Sequence, residues 1–127
     1  MQLLLNFAAS PLTAIQSLST ALPLFSVPSG TTKNSPIVNA GDLQVVQQGG
    51  TVKNLINNGG TDFILGASYS GTINSGGVED VASGGVCKAA VVNAGGVLLV
   101  EGGGNADGTV IKGGSVEFTG AFDSSQN

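Results

Sequence analysis

The chain has 127 residues, enough for one domain. Twenty-one are glycine, only 9% are charged, and the formal net charge is −4, with all four cations being lysines. With no His and a single cysteine, Cys87, ordinary zinc or haem sites, a His-based nucleophilic triad and an internal disulfide are all excluded. Clustered cations for nucleic-acid phosphates are also missing, so neither a cofactor nor a nucleic-acid partner is expected. Hydrophobic content of 41% separates the chain from disordered, highly charged sequences. Glycine does not recur at every third residue, which excludes collagen.

Residues 1–36 hold one glycine, Gly30, and no charged side chain before Lys33. Leu3, Leu5 and Phe7 lie in an apolar opening stretch. Ser10-Pro11 is a good helix start, a capping hydroxyl followed by proline at the first helical position. Leu12, Ile15, Leu18 and Leu22 then recur at helical spacing, and Pro23 ends the run. The spacing predicts an amphipathic helix over 10–22. A secretory signal and a transmembrane helix compete with a structural reading, but a basic leader region is missing and no uninterrupted apolar run of about 20 residues exists, so the structural reading is preferred. The segment is read as an apolar cap or assembly arm. Leu3, Leu5, Phe7, Leu12, Ile15, Leu18, Leu22 and Phe25 are its contact side chains, and 29–36 is its linker.

Residues 37–127 hold the other twenty glycines, and they form a repeat. Copies open at Val38-Asn39-Ala40-Gly41, Ile56-Asn57-Asn58-Gly59-Gly60, Ile73-Asn74-Ser75-Gly76-Gly77, Val92-Asn93-Ala94-Gly95-Gly96 and Ile111-Lys112-Gly113-Gly114. A second glycine pair follows half a repeat later, at Gly49-Gly50, Gly84-Gly85 and Gly103-Gly104; Gly66-Ala67 replaces it in the shortest copy. Between the pairs lie short Val- and Ile-rich segments, which read as strands joined by tight turns. A helix is excluded there, because each glycine costs about 1 kcal/mol relative to alanine.

A period near 19 residues with short strands predicts a stacked solenoid, in which equivalent residues of successive coils sit about 4.8 Å apart. Aligning the glycine pairs gives an inward aliphatic ladder, Val38, Ile56, Ile73, Val92 and Ile111. Beside it runs an amide ladder, Asn39, Asn57, Asn74 and Asn93, which can pass hydrogen bonds from coil to coil. Val78, Val81, Val97, Val100 and Val116 are read as inward. Asp62, Glu79 and Glu117, with Asp80 beside them, are read as an outward acidic face rather than a Ca²⁺ site or a hydrolytic carboxylate pair. Cys87 is read as a small half-buried thiol, with an intermolecular disulfide as the alternative. Thr51, Ser68, Ser70 and Thr72 are read as exposed hydroxyls.

The pattern Val/Ile-Asn-x-Gly-Gly, an aliphatic strand, then x-x-Gly-Gly, resembles the passenger repeat of AIDA-type autotransporter adhesins over roughly residues 37–120. The resemblance implies a right-handed parallel β-helix, an extracellular or cell-surface location, and a role in adhesion or self-association. The expected fold is therefore all-β, a parallel β-solenoid of about four to five coils over 37–127, preceded by the arm over 1–36. The expected function is non-enzymatic: a self-associating subunit of an extracellular filament or surface matrix. Its partner would be itself, by end-to-end stacking or arm exchange. The alternative is an adhesin module that grips glycans or another cell.

Overall fold

A computed structural model describes residues 24–119. The expected helix over 10–22, and every arm residue named above except Phe25, lie outside that range. The chain winds through five three-stranded coils. The first is β1 (Leu24–Val27), β2 (Thr32–Asn34) and β3 (Ile37–Asn39). The second is β4 (Leu43–Val46), β5 (Thr51–Lys53) and β6 (Ile56–Asn58). The third is β7 (Thr61–Ile64), β8 (Ala67–Tyr69) and β9 (Thr72–Ile73). The fourth is β10 (Val78–Val81), β11 (Val86–Lys88) and β12 (Val91–Asn93). The fifth is β13 (Val97–Val100), β14 (Asn105–Asp107) and β15 (Val110–Lys112), and β16 (Ser115–Phe118) adds one strand beyond it. Among the described residues there is no helix.

Equivalent strands pair in parallel and build three sheets. The first runs β1-β4-β7-β10-β13-β16, the second β2-β5-β8-β11-β14, and the third β3-β6-β9-β12-β15. The fold is thus an all-β parallel solenoid. It begins earlier than the glycine spacing indicated. Residues 29–36, expected to be a linker, supply β2 and the corner that leads into β3. The first coil has no glycine pair, which is why the repeat was not visible there.

Corners are tied across coils as well as within them. Gly76 N–H donates to the Gly95 carbonyl and Gly84 N–H to the Gly103 carbonyl, both at 3.0 Å. A second kind of corner, between the second and third sheets, stacks Ser35, Asn54, Ser70 and Ala89 with φ of 54–58°. Each of these four donates its N–H to a carbonyl of the following coil, at Lys53, Tyr69, Lys88 and Asp107 respectively. Left-handed backbone at a non-glycine residue costs of order 1 kcal/mol, and the inter-coil hydrogen bond offsets it.

The hydrophobic core falls into two clusters. Val27, Val38, Val46, Val52, Leu55 and Ile64 fill the early coils. Ile73, Val81, Cys87, Ala90, Val92, Leu98 and Val100 fill the later ones. On the first sheet the second and fourth strand positions point inward, as the two-residue period requires. Val81 and Val100 are therefore buried, whereas Val78 and Val97 are only half-buried.

Candidate functional site

The register corrects the ladders in two places. Val38 pairs with Asn57 rather than Ile56, and Asn57 pairs with Ile73. The inward row is Val38, Asn57, Ile73, Val92 and Ile111, and Ile56 pairs with Ile37 on the outside, 37% exposed. Aligning on glycine pairs assumed turns of equal length. In the second coil the turn between β6 and the next strand is one residue shorter, so the strand slides by one and every side chain changes face. Asn57 is fully buried but satisfied. Its Oδ1 accepts from Gly59 N–H at 3.2 Å and Gly60 N–H at 2.9 Å, and its Nδ2 donates to the Val78 carbonyl at 3.0 Å. The amide ladder is accordingly Asn58, Asn74 and Asn93: Asn74 Nδ2 donates to Asn58 Oδ1 at 2.7 Å, and Asn93 Nδ2 to Asn74 Oδ1 at 2.8 Å. Asn39 and Lys112 hold register positions at the ends of the row.

The second correction concerns the acidic face. Gln44, Asp62, Glu79 and Leu98 form one inward row of the first sheet, and all four are fully or almost fully buried. Glu117 is not in it; it pairs with Leu99 on the outward row, which also carries Asp80. Asp62 and Glu79 share strand parity with the buried Ile64 and Val81, a signal that reading them as solvated charges overlooked. Together with Ser68 of the second sheet they lie between the two apolar clusters.

The cluster is densely bonded. Gln44 Nε2 donates to Asp62 Oδ1 at 3.0 Å. Ser68 Oγ donates to Glu79 Oε2 at 3.1 Å, and Cys87 Sγ donates to Glu79 Oε1 at 2.9 Å. Asp62 Oδ2 is buried and has no donor. Its register partner is Glu79, another carboxyl, so the two can bond only if one of them carries a proton. Burial, and then the Glu79 charge, hold the Asp62 carboxyl well above the usual carboxylate range; Gln44 works against this shift. Burial also raises Glu79, opposed by its bonds from Cys87, Asp62 and Ser68. Two buried anions at adjacent ladder positions would be prohibitive, so the pair is expected to share one proton, held by Asp62, where burial and the Glu79 charge both favour the neutral acid.

Cys87 is fully buried, not half-buried, and burial with the Glu79 charge pushes its thiol far up. Such a thiol is inert, and an intermolecular disulfide through it would require the coil to open. A thiol-reactive dye should therefore leave Cys87 unlabelled in the native protein and label it on denaturation; rapid native labelling would contradict this burial. Ser68, expected on the surface, is likewise inside.

The cluster has the carboxylates of a hydrolase but no opening to a substrate, since Asp62, Glu79 and Ser68 are all solvent-inaccessible. A surface hollow lined by Gly95, Gly96, Val97, Gly113, Gly114 and Ser115 contains no ionisable side chain. At the far end of the stack Val110, Ile111 and Phe118 are 48–55% exposed, although Ile111 belongs to the inward row. At the near end the inward row of the second sheet starts with the exposed Lys33, its Nζ 5.9 Å from the centre of the Phe25 ring. Phe25 itself is 41% exposed. Among the described residues no helix is long and apolar enough to cross a membrane.

No family model and no curated protein matches the chain. A solved structure does: the TibC-catalysed, hyper-glycosylated fragment of TibA, an AIDA-type autotransporter adhesin passenger. The TM-score is 0.59 at 24% identity, over 76% of this chain and 46% of that one. The chain thus spans less than half of the adhesin fragment, and what the two share is the winding of a parallel β-solenoid.

Proposed function

We propose that the chain is a non-enzymatic structural solenoid of the bacterial cell surface that associates with copies of itself through its last coil. The observation that carries this reading is the exposure of the inward row at the last described coil. Ile111 is 55% exposed, next to Val110 at 48%. Strand edges of this kind are templates for further pairing. At the opposite end it is the inward row of the second sheet that starts with a charge, Lys33, which disfavours continued stacking of that row. Likeness of fold to an adhesin fragment supports a surface location and an adhesive or matrix role.

The test is light scattering on the size-fractionated full chain beside the double variant Val110→Lys/Ile111→Lys. The expected result is an oligomer that shifts toward monomer in the variant, with the β-sheet circular dichroism of the native protein retained. A wild-type chain that stays monomeric at micromolar concentrations would sink the proposal. A second reading, an adhesin module for glycans, is favoured by one separate feature of the second sheet.

A further inference from the structure

The lysines are not scattered. Three of the four, Lys33, Lys53 and Lys88, lie on the second sheet of a chain whose net charge is −4. The outward row of that sheet reads Asn34, Lys53, Tyr69, Lys88 and Asp107, in unbroken parallel register. All five side chains are exposed. Tyr69 therefore lies between two lysines, each one coil away, and the lysines are about 10 Å apart, two strand spacings. Neither lysine is engaged in an ion pair among the described residues, even though Asp107 is the register partner of Lys88. Thr51 stands half-buried beside this row, and Asn54 and Ser70 are exposed at the adjoining corner.

We propose that this row is a binding site for an acidic polysaccharide, with Tyr69 stacking on a sugar ring and Lys53 and Lys88 taking carboxylates carried on alternate sugars. The chemistry fits in three respects. An exposed tyrosine ring offers a flat apolar face with a polar edge, suited to the C–H face of a sugar. Ammonium groups on both sides match an anion that repeats along a straight chain, and the row is itself straight because each coil adds one side chain in register. Thr51, Asn54 and Ser70 supply hydroxyl and amide partners for sugar hydroxyls. Asp107 ends the row with a negative charge, so the ligand extends from Lys88 toward Asn34. Nucleic acid is the poorer fit: two lysines and no arginine neutralise few phosphates. This site does not depend on self-association.

The experiment measures binding of the full chain to immobilised hyaluronan, which carries a carboxylate on every second sugar, beside uncharged dextran and double-stranded DNA. The wild type is expected to bind hyaluronan, to release it as salt rises, and to ignore dextran. Lys53→Gln/Lys88→Gln should weaken binding by at least about tenfold, the loss of two charge-assisted contacts. Tyr69→Ala should weaken it several-fold with the salt dependence unchanged. Both substitutions lie on the surface and should leave the circular dichroism spectrum intact. Lys112→Gln, on the third sheet, is expected to be silent. No binding by the wild type, equal binding by the Lys53/Lys88 variant, equal capture on dextran, or tighter capture on DNA would each overturn the proposal.

Discussion

Asp62→Asn raises the melting temperature at about pH 8 and leaves it nearly unchanged at about pH 4. Asparagine keeps an oxygen that accepts from Gln44, and it places an N–H where the protonated acid had its O–H, still able to donate to Glu79. The wild type, in contrast, has to retain a proton in the folded state that the unfolded chain releases near its ordinary carboxylate value of about 4. Because Asp62 and Glu79 are both raised on folding, the stability tied to their protonated forms is fully present below that value. It is lost as pH rises from there through the raised folded values. The solenoid is therefore expected to be most stable in mild acid, the opposite of a protein held by salt-bridged carboxylates. Where one proton separates the two states, unfolding free energy falls by more than about 1 kcal/mol per pH unit. Asp80 adds to the same trend, because burial and the neighbouring Glu101 raise it to about 7. Denaturant titrations across pH on the wild type, Asp62→Asn and Asp80→Asn separate the two sources. A wild-type profile that is flat or rises with pH would refute the shared proton.

Gly85→Ala is expected to cost at least about 3 kcal/mol, whereas Gly84→Asn should cost less than about 1 kcal/mol. The two glycines are adjacent but do different work. Gly84 has φ of 83° and open space around the position of a Cβ, so it needs only a residue that accepts left-handed backbone. Asparagine does so at modest cost, as Asn54 already does at another corner. Gly85 has an ordinary φ, but an added Cβ would run into the Ile64 carbonyl oxygen of the preceding coil and come within 3.0 Å of the Ala82 carbonyl oxygen. Those atoms are backbone, held in the inter-coil ladder by the bond from Ala82 N–H to the Ile64 carbonyl at 3.0 Å. They cannot swing away as a side chain could, so the coils would have to separate. Midpoints of denaturant unfolding for the two variants check the contrast, and equal effects would show that both glycines serve only the turn.

Much of the fold is legible in the sequence. Glycine pairs at a period near 19, with short Val-rich segments between them, require tight corners and a close stack. Both follow from backbone sterics and two-residue alternation, which act locally. Coil number and parallel pairing come with them. Ladder membership is less legible. The two-residue Gly59-Gly60 turn, one residue shorter than that of the preceding coil, moved Ile56 outward and Asn57 inward, a shift that shows only in the inter-coil register.

The acidic pair shows the same division in its sharpest form. Strand parity alone puts Asp62 with Ile64 and Glu79 with Val81. Charge alone assigns both carboxyls to solvent, and composition cannot decide between the two. Only the tertiary structure decides, because it brings Gln44 and Ser68 from neighbouring coils, and Cys87 from the next strand of the same coil, within hydrogen-bonding distance of the two carboxyls. The glycine excess and the scarcity of charge determined that this chain stacks. Which side chains ended up inside the stack, and that Lys53, Tyr69 and Lys88 line up on its surface, depended on the inter-coil register, which non-local hydrogen bonds set.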